Sequence, residues 1–231
     1  TKGSYSSTGY IIEAAVQSAG DEILKNPLAA YQKAAGEIHK NGSAGYSKKT
    51  WQEIPEFTTT NSSFNSTLQS LISGFVTTEE DAEIKISEKG SEDAMRRMPA
   101  SNCSEDAVKS VTVTEKNSVY TITIVMKKET NIKKSNTDGI NVMGSDLFYI
   151  EDIENTISSD ASIKRLVKSF NNGEIVYNDY TITAKMTEDG KLIQVDHYCK
   201  TSFNGDFDLI LGDLTATGTI ILNSRYSDFS Y

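Results

Sequence analysis

Two histidines and two cysteines are the residues of this sequence best suited to metal binding or nucleophilic chemistry. His197 and Cys199 stand two residues apart, so in a β-strand they would share one face, and a His-x-Cys pair can begin a zinc site or supply a thiol nucleophile. A zinc site needs further ligands, and Cys103 is the one obvious addition. We therefore interpret His197 as a packed or partly exposed histidine near a structural cysteine. His39 ends a predicted helix, where a histidine interacts favourably with terminal carbonyl groups.

Cys103 and Cys199 leave two structural interpretations open. They could form one long-range disulfide, or they could be two unrelated buried thiols. A disulfide that closes a loop of this length would stabilise the fold by about 4 to 5 kcal/mol in the chain-entropy model. The sequence favours neither interpretation.

Oxygen-rich segments are weaker candidates for a site. Residues 204–208 with Asp213 could offer calcium ligands from a turn, but their spacing departs from that of an EF-hand loop, so an ordinary hairpin turn is favoured. The acidic groups at 79–81 and 151–154 are typical of helix ends. The sequence has no Gly-x-Gly-x-x-Gly, Walker or Gly-x-Ser-x-Gly motif. We predict no catalytic residue, no metal site and no cofactor.

The charge balance narrows the range of partners. With 32 acidic and 23 basic residues the formal net charge is -9, so the mean field repels nucleic-acid phosphates and anionic bilayers. No window approaches the roughly 18 to 20 apolar residues that a membrane-spanning helix needs. The first residues lack the basic and apolar regions of a signal peptide, so we expect that any such peptide has been removed or never existed. We expect no nucleic-acid partner and no transmembrane segment.

The first third of the chain is predicted to be mainly helical. Residues 1–8 are small and polar and are predicted to be a flexible segment, and 9–76 are predicted to be helical apart from a short strand or extended loop at 46–60. The clearest helix begins at Asn26-Pro27 and stops at Asn41-Gly42. A third amphipathic helix is predicted at 64–75. Residues 9–231 are expected to form one domain.

The rest of the chain alternates in the manner of β-strands. Alternation predicts a hairpin at 110–128, helical spacing predicts a crossover at 147–170, and a four-strand meander is predicted at 174–226 with turns at 188–190 and 203–206. The predicted fold class is α+β, with N-terminal helices packed on one face of a curved, mostly antiparallel sheet of about six strands.

The predicted sheet has one apolar face, and the other is rich in Thr, Lys and Asp, as in an antiparallel sheet with one solvated side. The helices could seal the apolar face completely. Alternatively, a cleft between helices and sheet could hold a lipid or another apolar ligand. The ligand-binding residues predicted under the second interpretation are Ile122, Ile124, Ile182, Ile193, Val195, Leu209 and Ile220.

Three segments resemble uncharacterised secreted or lipoprotein domains of Gram-positive bacteria. They are SVYTITIVMKKETN at 118–131, YTITAKMTEDGKL at 180–192 and GYSKKTW at 45–51, so the resemblance spans most of the chain. A more distant similarity links the predicted helices and meander to the half-barrel of bacterial lipoprotein carriers, whose curved sheet holds acyl chains against helices. These resemblances imply no catalytic residue. A likeness of fold does not by itself establish a function.

The predicted function is that of a non-catalytic extracytoplasmic domain at the surface of a bacterium, with a possible N-terminal lipid tether. It would bind a lipid or other apolar ligand between helices and sheet. The alternative is an adhesion or structural module of the cell envelope that binds a polymer or protein partner. An enzyme that uses His197 is the least favoured interpretation.

Overall fold

The computed structural model describes residues 19–60, 76–159, 161–210 and 212–231. The predicted flexible segment 1–8, most of the predicted first helix and the predicted third helix at 64–75 lie outside these ranges.

One antiparallel sheet organises the described residues. It has eight strands in the order β2-β1-β8-β7-β6-β4-β3, and the short β5 pairs with β6. The strands are β1 Gly45–Thr59, β2 Ile84–Ser87, β3 Val108–Lys116, β4 Val119–Met126, β5 Glu129–Thr130, β6 Val167–Thr187, β7 Leu192–Leu209 and β8 Gly212–Ser230.

Two helices precede β1 in sequence, and the other helices lie between later strands. A 3-10 turn at Glu105–Ala107 precedes β3. The α-helices are α1 Ala19–Lys25, α2 Pro27–Asn41, α3 Glu92–Arg97, α4 Ile140–Met143, α5 Ile150–Ser159 and α6 Ala161–Lys164.

Helix α2 forms where the sequence predicts it, for the predicted reasons. The Asn26 side chain accepts a hydrogen bond from Ala29 N, and Pro27 occupies the first turn. Gly42 ends the helix in the left-handed region with φ 59°, and its N–H donates to Ile38 O. A Cβ at Gly42 would also lie 2.9 Å from Gly90 Cα, so two chain segments meet closely here.

The predicted fold class is wrong. Among the described residues, strands make up 50% and helices 24%, and their one sheet has eight strands where about six were predicted. One cause is β1, a fifteen-residue strand that pairs with the last strand β8. Its composition of Thr, Lys and Glu hides this role, because most of its side chains do not alternate cleanly between apolar and polar.

The predicted four-strand meander is three long strands. The predicted turn at 203–206 is wrong, because β7 runs through Asn204 and Gly205 to Leu209 without a break. Gly205 pairs with Ala216, and a Cβ added to it would lie 2.3 Å from a ring carbon of Phe170. This glycine is therefore needed for close packing rather than for a turn.

The predicted crossover at 147–170 is helical only in part. Helices α5 and α6 occupy its centre, but β6 already begins at Val167. The Asn-Asn-Gly segment at 171–173, which resembles a turn, lies inside β6 as a bulge opposite β7. Asn172 takes a φ of 52° there, which asparagine tolerates better than most residues.

The predicted hairpin is confirmed as β3 and β4. Lys116 pairs with Val119, and the two residues between them, Asn117 and Ser118, both have positive φ, which is the geometry of a type I′ turn. Strand β4 alternates buried and half-buried residues along its whole length.

Candidate functional site

The apolar side of the sheet, which faces the helices, is called the inner face below. Four predicted ligand-binding residues lie on it and have no exposed surface: Ile122, Ile124, Ile182 and Val195. They belong to one core cluster that also contains Tyr31 and Ile38 of α2 and Ile140 and Met143 of α4. We call this part of the inner face the covered half.

Ile193 does not belong to the inner face, so its predicted role as a ligand contact there is wrong. Lys185 pairs with Gln194 and Met186 with Leu192, which leaves Ile193 as the extra residue of a β-bulge. Leu192 is buried in its place, and Ile193 is 38% exposed. A bulge shifts the alternation by one residue, and the sequence pattern gives no sign of it.

The remaining predicted residues, Leu209 and Ile220, lie on the inner face beyond the covered half, in a region that we call the distal half. Leu209 is buried and Ile220 is half-buried. The other members of the distal half are mainly aromatic: Phe57, Phe170, Phe203 and Phe207.

Three phenylalanine rings form the centre of the distal half. The Phe170 ring centroid lies 4.9 Å from that of Phe207 and 6.2 Å from that of Phe203, to which its ring is nearly parallel. Phe203 is buried, whereas Phe170 and Phe207 are half-buried and keep part of their surface exposed. Aromatic pairs at these separations stabilise one another beyond the area that they bury.

Glycines give the rings of the distal half room to approach the backbone. A Cβ on Gly173 would lie 2.5 Å from the Phe170 ring, and a Cβ on Gly218 would lie 3.0 Å from Phe57 Cδ2. Together with Gly205 these glycines form a thin floor beneath the phenylalanine rings. A strand glycine often marks a site where another group comes close to the backbone.

Helix α5 lies next to the distal half. Its Ile150 Cδ1 would lie 3.0 Å from a Cβ on Gly173, and Ile150 and Ile153 pack against the core while remaining half-buried. The loop before α5 is fixed to the sheet because the Tyr177 hydroxyl donates to Phe148 O.

An ion pair joins buried Lys48 to Asp146, whose side chain is 37% exposed, beside the covered half. Lys48 of β1 contacts Asp146 Oδ2 at 2.7 Å, and the same oxygen accepts hydrogen bonds from Ser145 Oγ at 2.6 Å and Ser224 Oγ at 2.8 Å. Burial acts to raise the pKa of Asp146, but the Lys48 charge and these donors outweigh it and lower that pKa to about 2. The backbone of Asp146 has a φ of 52°, which non-glycine residues rarely adopt. The ion pair and the hydrogen bonds to its side chain hold the residue in this conformation.

Buried His197 is connected to this cluster through Tyr180 and Ser145. Ser145 N donates to the Tyr180 hydroxyl at 2.8 Å, and that hydroxyl lies 2.8 Å from His197 Nδ1. His197 Nε2 is buried and has no hydrogen-bond partner among the described residues. Burial, followed by the Lys48 charge, lowers the pKa of His197 to about 3, so the ring is neutral at neutral pH.

The two cysteines are free thiols in the structure. Cys199 is buried on β7, and burial raises its pKa to about 12. Cys103 is half-buried beside α2, where Gln32 Nε2 lies 3.7 Å from its sulfur, and burial raises its pKa to about 11. A thiol reacts as the thiolate, so neither cysteine has the environment of a nucleophile.

The other residues considered from the sequence have structural partners. His39 Nδ1 lies 2.8 Å from Met98 O, a carbonyl of the loop after α3 rather than of its own helix. Asp206, from the segment considered for calcium, accepts hydrogen bonds from Thr215 and Asn172, which lower its pKa. No group of three or more His, Cys, Asp or Glu side chains that could hold a metal occurs among the described residues.

An open hollow of about 680 Å³ lies away from both halves of the inner face. Lys127, Lys128 and Asp138 are among the residues that line it. Asp138 accepts hydrogen bonds from Ser104 N, Ser104 Oγ and Gly139 N, and these donors lower its pKa. Asp138 is therefore engaged in holding the loops of the hollow together, and Asp106 and Glu129 are the other acidic residues of the lining.

Comparison of the chain with protein-family models, with curated proteins and with solved structures finds no match. The resemblance to secreted Gram-positive domains therefore stays a prediction. No helix among the described residues has the length and apolar character needed to cross a membrane.

Sequence reasoning missed Lys48, Asp146, Phe57 and Phe170. Lys48 and Asp146 come together only through the pairing of β1 with β8 and the loop after α4, which no local pattern indicates. Phe170 was assigned to a helical segment. Register shifts between Tyr177 and Asp179 and between Asn171 and Glu174 interrupt the alternation of β6, so no continuous pattern links Tyr180 to Phe170.

Proposed function

We propose that this chain is a non-catalytic extracytoplasmic domain that binds an apolar ligand, such as the acyl chain of a lipid, on the distal half of the inner sheet face. The observation that carries the proposal is the partial exposure of Phe57, Phe170, Phe207 and Ile220, next to a covered half whose isoleucines are fully enclosed. Mostly apolar surfaces with aromatic side chains are typical of sites for small apolar molecules.

The register of the strands gives the distal half a definite size. One row crosses four strands, because Phe57 pairs with Gly218, Gly218 with Phe203 and Phe203 with Ile175. Neighbouring strands lie about 4.8 Å apart, so this row spans about 14 Å. Phe207 lies four residues further along β7, about 13 Å away. A surface of this size suits one acyl chain rather than a protein partner.

The state of the reactive groups supports a non-catalytic role. Lys48 and Asp146 form an ion pair, His197 is buried against the Tyr180 hydroxyl, and Cys199 is a buried thiol with a raised pKa. A general base or nucleophile needs to reach a substrate within hydrogen-bonding distance. These groups instead contribute to the packing and hydrogen bonding of the fold.

Binding of a fluorescent polyene fatty acid to the full chain tests the proposal. We expect Ile220→Lys to weaken fatty-acid binding at least tenfold, because the variant places a charge on the distal half and removes the apolar contact between Ile220 and the fatty acid. The matched control is Ile84→Lys, at a residue of edge strand β2 that is 59% exposed. The control should bind as the wild type does. Absence of fatty-acid binding by the wild type, or equal loss in both variants, would contradict the proposal.

The opposite face of the sheet supports the second candidate, an adhesion module that binds a cell-envelope polymer. A row of polar residues crosses six strands there in direct register: Thr112, Thr123, Thr183, Asp196, Arg225 and Lys49. If this face binds a polymer, Thr183→Ala should reduce retention of the chain on isolated cell walls. Retention unchanged by Thr183→Ala would argue against the second candidate.

A further inference from the structure

Three asparagines of the chain are followed by glycine: Asn41, Asn172 and Asn204. An asparagine before glycine can lose its side-chain amide without an enzyme, because glycine has no side chain to hinder attack by its own backbone nitrogen. The reaction requires this nitrogen to turn towards the Cγ of the asparagine. Hydrogen-bonded backbone resists that movement, so the structure around each asparagine decides whether it can react.

Asn41 is protected by the end of helix α2. The Gly42 nitrogen, which would be the attacking atom, donates a hydrogen bond to Ile38 O at 2.9 Å. Gly42 is buried, and its oxygen accepts a hydrogen bond from Gly90 N at 2.8 Å. The backbone of Gly42 is therefore held on both sides.

Asn204 lies within β7 and is held by strand pairing. It pairs with Glu174 of β6 on one side and with Thr217 of β8 on the other. Gly205 is buried and pairs with Ala216 of β8. A paired strand keeps its backbone extended, so the Gly205 nitrogen stays away from the Asn204 side chain.

Asn172 and Gly173 lie in the bulge of β6. The ladder with β7 is interrupted between Asn171 and Glu174, so the two residues of the bulge have no paired residue on β7. Asn172 is exposed. Asn131 Nδ2 donates to Gly173 O at 3.3 Å, but that oxygen belongs to the following peptide unit and does not restrain the Gly173 nitrogen. Strand pairing therefore restrains this asparagine–glycine pair less than the one at Asn204.

We infer that Asn172 is a site of spontaneous deamidation, and that it reacts in the folded protein while Asn41 and Asn204 do not. The Gly173 nitrogen attacks the Asn172 Cγ, and a five-membered succinimide forms. The side-chain nitrogen leaves as ammonia and takes the proton of the Gly173 N–H with it. Water then opens the succinimide to aspartate or isoaspartate, so water is the one co-reactant.

Both products change the contacts of the bulge. Asn172 Nδ2 donates to Asp206 Oδ2 at 2.8 Å, and after deamidation a carboxylate replaces this donor. Two carboxylates side by side repel each other. Isoaspartate also adds one carbon to the main chain, where a Cβ on Gly173 would already lie 2.5 Å from the Phe170 ring. Deamidation therefore alters the backbone beneath Phe170, whether or not the distal half binds a ligand.

Peptide mass spectrometry of the full chain after incubation at mildly alkaline pH tests the inference. The three asparagines lie in different tryptic peptides, and fragment ions distinguish Asn172 from its neighbour Asn171. A sample digested without incubation gives the background. We expect Asn172 to deamidate at least about tenfold faster than Asn41 or Asn204, because a bulge opens more readily than a helix or a paired strand.

The same incubation in denaturant shows whether the structure causes the difference. All three asparagines should then react at similar rates, because each precedes a glycine. Asn172→Gln in the folded protein should abolish the modification at this position, since glutamine would have to form a larger ring. Similar rates at the three asparagines of the folded protein would overturn the inference. It would also be overturned if Asn172 stayed intact for as long as the denatured chain needs to react.

An exchange of donor and acceptor tests the effect of the product on the bulge. Asn172→Asp reproduces the aspartate product and should lower the midpoint of thermal unfolding, because the donor to Asp206 is lost. Addition of Asp206→Asn should restore most of that midpoint, since the side-chain amide then lies on the other strand. A midpoint that Asn172→Asp leaves unchanged would contradict the proposed effect on the bulge.

Discussion

The covered and distal halves of the inner face are built from the same three long strands and are packed in different ways. In the covered half, aliphatic residues such as Ile182 and Val195 are enclosed, and Ser145 and Ser224 among them donate hydrogen bonds to Asp146. In the distal half, glycines let phenylalanine rings lie close to the backbone, and part of the ring surface stays exposed.

Under the proposed function, one continuous strand serves stability at one end and binding at the other. Native interiors are close-packed, and the proposal rests on the partly exposed aromatic surface that lies beside such an interior. The following predictions test whether the two halves differ as proposed, from the largest expected effect to the smallest.

Truncation of one isoleucine in each half gives the sharpest contrast in stability. We expect Ile182→Ala to lower the free energy of unfolding by about 3 to 4 kcal/mol, because it leaves a cavity in a filled core. Ile220→Ala should cost about 1 kcal/mol, because Ile220 is only half-buried. Denaturant unfolding measures both values. Equal costs would mean that the two halves are packed alike.

Acid should destabilise the covered half through His197. Its pKa is about 3 in the folded protein against an ordinary value of 6.5, so the unfolded chain binds the additional proton as the pH falls below 6.5. Stability from this group is complete above pH 6.5 and is lost towards pH 3. At pH 4 the wild type should have lost about 3 kcal/mol more than His197→Gln has, relative to neutral pH.

Chemical unfolding of both proteins at pH 7 and pH 4 measures this difference, and the remaining titrating groups are common to both. Equal losses in the two proteins would show that His197 is not held neutral by burial.

Replacement of a glycine of the distal half by alanine should change the packing and the ligand binding of that half alone. Gly205→Ala introduces a Cβ against the Phe170 ring, and we expect a loss of about 1 to 3 kcal/mol together with altered fatty-acid binding. Gly36→Ala in α2 is the control, because nothing lies within 4 Å of its added Cβ. The control should stabilise the helix by about 0.5 to 1 kcal/mol. Gly205→Ala with unchanged stability and binding would contradict the packing described.

Thiol labelling gives the smallest energetic effect but reports on access to the inner face. Cys199 pairs with Tyr180 and Leu222. It should resist alkylation in the folded protein, whereas half-buried Cys103 should react slowly. After denaturation without reductant, mass spectrometry should find two adducts. Absence of adducts would mean that the cysteines are joined in a disulfide.

The parts of the fold that the sequence predicted are those specified by local patterns. Helix α2 has its cap, proline and terminal glycine within one segment, and the β3–β4 hairpin has clean alternation on both sides of a two-residue turn. The covered isoleucines followed from that alternation. In each case the information lies within a few residues of the element that it specifies.

The parts that the sequence did not predict depend on distant contacts or on local exceptions. Gly205 resembles a turn residue and is needed for contact with Phe170, which was assigned to a helix. Ile193 leaves the inner face because of a bulge. The Lys48–Asp146 pair requires the first and last long strands to meet. Tertiary packing overrides local propensity at each of these positions.

Isoleucine methyl NMR during titration with a long-chain fatty acid tests the central claim most directly, because one spectrum reports on both halves of the inner face. The account predicts that the methyl signals of Ile220 and Ile150 shift as the fatty acid is added, while those of Ile122, Ile124 and Ile182 stay in place. Shifts in the covered isoleucines with none at Ile220, or no shift at any isoleucine, would contradict the account.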